Sequence, residues 1–123
     1  DWSSDVCSSD LENMCIFCKI IAGEIPNKTI LEDENFLAFE DINPSANIHA
    51  LIIPKVHIQS FNEMTPNIMA NMTTFIQEVA LTLGVKSDGY RLITNIGTNG
   101  GQEVEHIHFH MLAGEKLGPI YKK

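Results

Sequence analysis

Apolar residues recur at three- and four-residue spacing through one stretch of the chain: Ile68, Met72, Phe75, Ile76, Val79 and Leu83. That period predicts an amphipathic helix whose stripe covers a sheet. Its ends are marked by their neighbours. Thr65 suits the cap, Pro66 the first helical position, and Gly84 the stop. A shorter helix is predicted over Phe17–Ala22, ending near Gly23, with Pro26 just beyond. Two strands, Lys28–Glu32 and Phe36–Glu40, flank an Asp33–Asn35 turn, and Asp41–Asn47 reads as loop around Asn-Pro. His49–Ile53 is a further β-rich run, with Pro54 better placed at its end than in its middle. Tyr90–Asn95 is the next strand, and the turn Gly97–Gly101 leads into the last. Two helices against several mostly antiparallel strands make the class α+β.

The last strand, EHIHFHMLAG over residues 105–114, has the most unusual pattern. Alternation puts Ile107, Phe109 and Met111 on one face, which reads as core, and His106, His108 and His110 on the other. Neighbouring histidines in such a row stand ~6.6 Å apart and the outer two ~13 Å apart. A straight strand does not easily bring all three to one metal ion, so at least one imidazole has another task. Imidazole is a competent nucleophile toward phosphorus and a competent proton donor near neutral pH. The adjoining glycine turn offers amides to phosphate oxygens. Together these point to phosphoryl or nucleotidyl transfer.

Composition narrows the partners. The chain has 123 residues, enough for one domain with one core. Residues 1–13, DWSSDVCSSDLEN, are Ser/Asp-rich and unlike the rest; they read as a non-native or disordered extension ahead of a domain over 14–123. Without its four acidic residues the formal charge of −8 becomes −4, which offers nucleic acid no broad electrostatic footprint. No apolar run approaches the roughly 20 residues a membrane helix needs. Of three cysteines, Cys7 falls in the extension, while Cys15 and Cys18 form a lone C-x-x-C. In a reducing cytoplasm that pair suggests metal or redox chemistry.

HIHFHML resembles the His-φ-His-φ-His-φ-φ signature of the histidine triad (HIT) superfamily. CIFCKIIAGEIP, LAFEDINPSANIHALIIPKVHI, GYRLITNIGTNGGQEVEHIHFHMLAG and LGPI resemble its nucleotide-binding branch, in the family's order from Met14 onward. The resemblance implies a five-stranded antiparallel sheet with one long and one short helix, paired as a homodimer. It implies binding of purine nucleoside monophosphates and hydrolysis of their phosphoramidates, or related adenylylated compounds, through a nucleotidyl-histidine.

Matched residue by residue, the resemblance makes His108 the nucleophile, His110 the phosphate contact, and His49 the upstream histidine completing the cluster. Asn95, Gly101 and Gln102 fall in the phosphate-side loop. Asp41 matches the carboxylate that accepts the ribose hydroxyls, and Ile20, Ile25, Phe39 and Ile42 match the walls around the base. The alternatives are an ordinary turn cap for Asp41 and plain core for the apolar four. A subset of the family, with Cys-x-x-Cys and a histidine after Ile-Pro-Lys-x, binds tetrahedral zinc. Here that set is Cys15, Cys18, His57 and His106, a structural site that leaves His108 free to attack. Glu103 departs from the pattern, standing where relatives often have Ser or Thr. A carboxylate there either turns outward or weakens nucleotide affinity. Two other functions compete: a dinucleoside polyphosphate hydrolase, and a nucleotide-binding scaffold without turnover.

Overall fold

A computed structural model describes residues 15–120. The extension over 1–13, with Cys7, and the domain boundary at Met14 lie outside the described residues. Two helices and five strands follow in the order α1 (Ile16–Ile21), β1 (Thr29–Glu32), β2 (Phe36–Glu40), β3 (Ile48–Pro54), α2 (Pro66–Leu83), β4 (Arg91–Ile93) and β5 (Phe109–Ala113). A 3₁₀ turn at Phe61–Glu63, capped by Ser60, precedes α2; no pattern in the sequence marked it. The sheet order is β1-β2-β3-β5-β4, with every pairing antiparallel.

Local chemistry sets the ends of these elements. Thr65 Oγ1 accepts from the Ile68 amide at 3.2 Å, Pro66 opens α2, and Gly84 closes it at φ 74°. In the β1–β2 turn, Asp33 Oδ1 accepts from the amides of Asn35 and Phe36 at 2.7 and 2.8 Å, an Asx-type turn. Pro54 is the last residue of β3, where its missing N–H costs no ladder bond.

The two faces of the sheet are covered by different helices. Phe36, Ala38, Ala50, Ile52, Phe109 and Met111 face α2, whose Met72, Phe75, Ile76, Val79 and Ala80 are buried against them. The residues between them, Leu37, Phe39, Leu51 and Ile53, form a second cluster with Phe17 and Ile20 of α1 and with Cys15, which caps it. A sheet covered twice explains why β2 and β3 read as continuous apolar runs. No helix among the described residues is long and apolar enough to cross a membrane.

The histidine segment differs from its expectation in two ways. Only His110 belongs to β5; His106 and His108 precede it in an extended stretch, with the Ile107 amide bonded to the Ile58 carbonyl at 2.6 Å. The alternation still holds, since Ile107 joins the α2 core with Phe109 and Met111. The histidine face is not a wet face, however. His106 is 0 % and His108 6 % exposed, because α1 and the segment around His57 cover them.

Candidate active site

Strand parity gathers the polar residues on the α1 side. His110 pairs with Leu51 and His49 with Leu112, so both rings project with Leu51 toward α1. Asp41 follows β2 in phase with Phe39, and its amide bonds the His49 carbonyl at 3.0 Å. Asp41, His49 and His110 therefore meet: His49 Nε2 lies 2.8 Å from His110 Nδ1 and 3.4 Å from Asp41 Oδ2. The other oxygen of Asp41 accepts from the Asn43 amide at 2.8 Å, so the carboxylate caps its turn as well.

Hydrogen bonds assign the protons on these rings. The Ser45 amide donates to His49 Nδ1 at 2.9 Å, leaving the His49 proton on Nε2, which donates to His110 Nδ1. His110 then carries its own proton on Nε2. His108 Nδ1 donates to the His106 carbonyl at 2.8 Å, so the lone pair of His108 is on Nε2. Among the described residues no fully buried side-chain nitrogen or oxygen lacks a partner. His108 Nε2 has no hydrogen-bond partner among the described residues, and it is not fully buried although the residue is 6 % exposed. Thr94 Oγ1 donates to the His108 carbonyl at 2.8 Å and holds the backbone.

Burial keeps the rings neutral. It lowers His49, against the pull of Asp41, and it lowers His110 to about 4 with help from His108 and His49. His108 is likewise lowered by burial, partly offset by its bond to the His106 carbonyl and by the charges of Asp41 and Glu103. Glu103 is exposed, yet near enough for its charge to act on His108. The proton assignments also make Asp41, His49 and His110 a poor metal site despite their proximity. His49 would have to give up its Nε2 proton while its Nδ1 is held by a backbone amide.

The second cluster is different. Donor atoms of Cys15, Cys18, His57 and His106 all lie within 4.8 Å of one another and could hold a metal ion. His106 Nε2 donates to the Pro54 carbonyl at 2.8 Å, which turns an unprotonated Nδ1 toward Cys15 Sγ at 3.3 Å and Cys18 Sγ at 3.5 Å. His57 Nδ1 lies 3.2 Å from Cys18 Sγ. Burial lowers His106 to about 4, so its ring is neutral, as a ligand must be.

A cleft of about 610 Å³ is lined by Ile20, Ile25, Phe39 and Ile42 and by the polar Asn27, Lys28, Glu40 and Asp41; it borders the histidines through Asp41, which meets His49, and through Phe17, which meets His108. The four apolar residues fall into two kinds: Ile20 and Phe39 are also core, whereas Ile42 is 85 % exposed on the rim. Phe17, Pro44 and Leu51 line the cleft too and were not singled out as site residues from sequence, where Phe17 figured only as the start of the short helix.

Asn95, Gly101 and Gln102 sit in the loop after β4. Gln102 accepts from the Gly97 amide at 3.0 Å and donates to the carbonyls of Gln59 at 2.7 Å and Val104 at 3.0 Å, bracing the loop. Among the described residues none of the three hydrogen-bonds a histidine or lines the cleft.

Comparisons with known proteins agree with this geometry. The HIT domain family matches residues 22–117. A HIT-like protein of Helicobacter pylori is 60 % identical over 103 residues, covering 84 % of this chain and 99 % of that protein. The purine nucleoside phosphoramidase of Escherichia coli is 44 % identical over 108 residues, covering 85 % and 91 %. A solved histidine triad protein from Clostridium difficile superimposes with a TM-score of 0.81 at 44 % identity, over 88 % of this chain and 96 % of that one. The chain belongs to the HIT domain family.

Proposed function

We propose that this protein is a nucleotide hydrolase that binds purine nucleoside monophosphates and cleaves their 5′-phosphoramidates through a nucleotidyl-histidine on His108. The observation that carries the reading is the free Nε2 lone pair of His108, fixed by the bond from its Nδ1 to the His106 carbonyl. A largely apolar cleft that also carries the Asp41 carboxylate shares Phe17 with His108. The similarity to a purine nucleoside phosphoramidase supports the same class.

In this reading the base lies between Ile20, Ile25 and Phe39 and covers Ile42, whose 85 % exposure otherwise leaves a large apolar side chain in water. Asp41 accepts the ribose hydroxyls within the cleft. His108 Nε2 attacks phosphorus, the Nε2–P bond forms as the P–N bond breaks, and the departing amine takes its proton from solvent. His110 keeps its Nε2–H for a phosphoryl oxygen while His49 holds its other nitrogen. Water then cleaves the Nε2–P bond, releasing the nucleoside monophosphate and restoring His108. Asn95, Gly101 and Gln102 frame the phosphate side through backbone and loop position.

Zinc suits the Cys15, Cys18, His57 and His106 set. Two thiolates and two imidazoles around a tetrahedral zinc stand roughly 3.5 Å apart sulfur to nitrogen, against 3.2, 3.3 and 3.5 Å here. Four protein ligands leave no position for water, so the ion supplies structure. The edge strand β4, with its own Leu92 41 % exposed and Tyr90 just before it 37 % exposed, supports a homodimer. Two reduced thiols favour a cytoplasmic setting.

The test measures AMP release from an adenosine 5′-phosphoramidate by wild type and His108→Ala. We expect the variant to lose at least about a thousandfold in rate. Equal inertness of both proteins, with AMP still bound, would instead make this a nucleotide-binding module. Preference for dinucleoside polyphosphates over phosphoramidates would move it to that neighbouring activity.

A further inference from the structure

Three aromatic contacts converge on one residue. The Phe17 ring meets His108 edge-on at a centroid distance of 5.1 Å and 79°, His106 at 5.8 Å and 79°, and Phe39 at 5.8 Å and 70°. Phe17 lies between Cys15 and Cys18 in sequence, is 5 % exposed, and also lines the cleft. One side chain thus touches the candidate nucleophile, a candidate metal ligand and the wall of the cleft.

We propose that Phe17 is a positioning residue, which holds the His108 ring for attack and passes the state of the metal site to it. The inference rests on the phosphoramidase reading for its kinetic part. One hydrogen bond, from Nδ1 to the His106 carbonyl, sets which nitrogen is free but leaves the ring able to swing about that bond. Swing is limited from two sides, by Phe17 and by the His110 ring at 5.1 Å. His110 is itself anchored through His49 to the Ser45 amide. Phe17 is anchored by the short helix whose first turn Cys15 caps, its Sγ accepting from the Cys18 amide at 3.3 Å. A metal on Cys15 and Cys18 would fix the residue between them; without it, α1 is held by its apolar face and by the weaker thiol–imidazole contacts of those two cysteines. His106 carries the same message by a second route, because the carbonyl that binds His108 belongs to a residue whose ring faces both thiols.

Leucine at position 17 separates positioning from lining, since it keeps an apolar wall but presents no ring edge. For Phe17→Leu we expect kcat, or the single-turnover rate of amine release, to fall about tenfold while KM stays within about twofold. Phe17→Tyr, which keeps the ring, restores the rate. Equal losses in kcat and 1/KM, or no change in kcat, would overturn the proposal and leave Phe17 as cleft wall alone.

A second readout does not depend on turnover. In ¹⁵N-histidine-labelled protein, His108 should show one sharp Nδ1–H tautomer in the zinc-loaded wild type. Phe17→Leu should broaden or shift it, and removing zinc from the wild type with a chelator should do the same. An unmoved His108 signal in either case would refute the coupling. If the wild type cleaves no phosphoramidate, the functional reading falls while the ring spectra still decide this inference.

Discussion

Single protons carry much of this site. A backbone amide on His49, a ring on His110 and a carbonyl on His108 each select one tautomer, and the selections agree. None of these partners is readable from residue types, because two of the three are backbone groups. The sequence could name His49, His108 and His110 but not which nitrogen faces outward. Neutral burial also predicts an acid response. His110 titrates near 4 in the folded chain, below the ordinary 6.5 expected unfolded, because burial disfavours its charged form. The unfolded chain therefore takes up a proton first, and His110's share of stability is complete above about pH 6.5 and declines toward pH 4. His49 is shifted in the same direction. Urea midpoints measured from pH 7 to 4.5 should fall, and His110→Asn should flatten the fall. The difference between the two curves reads His110 together with its coupling to His108 and His49. Identical curves would mean that the ring is charged as readily folded as unfolded.

Elements were legible where capping and periodicity coincide. Thr65, Pro66 and Gly84 place α2 to the residue, and Asp33 places its turn, because each acts through bonds within a few positions. The β-edges were less so: Tyr90–Asn95 shrinks to Arg91–Ile93, and β5 begins only at Phe109. There the limits come from partners far along the chain, such as the Ile58 carbonyl that takes the Ile107 amide. Removing the α2 cap with Thr65→Ala should cost about 1 kcal/mol in equilibrium unfolding, without altering activity. The loop after β4 offers a harsher substitution. A Cβ on Gly100 would collide with the backbone carbonyl of Ile96, which a loop braced by Gln102 at Gly97, Gln59 and Val104 cannot easily move aside. Gly100→Ala should therefore lower thermal stability and loosen the loop, seen as faster amide exchange over 97–104. Unchanged exchange would show that the loop has more freedom than its bonds suggest.

At the scale of the whole molecule, the sheet divides its support. The α2 face is a large apolar cluster, whereas the α1 face is smaller and shares its space with histidines and thiols. The candidate metal ligands belong to the second side and join distant parts of the chain, with Cys15 and His106 separated by 91 positions. This predicts a local, not global, response to metal removal. Chelation, or Cys15→Ser, takes away the tie between α1 and the histidine segment but no contact of α2. The amides that close α1, those of Lys19, Ala22, Gly23 and Glu24, bond only within residues 15–24 and depend on its docking for protection. Hydrogen exchange should speed by about tenfold or more in residues 16–24 on metal removal, while the buried turns of α2 keep their protection. Base binding should weaken with it, since Phe17 and Ile20 carry one wall of the cleft on that helix. If α2 loses protection in step with α1, the two clusters unfold as one unit and the metal stabilises the entire domain. If neither changes, apolar packing alone fixes α1, and the thiolate–imidazole cluster has no part in shaping the cleft.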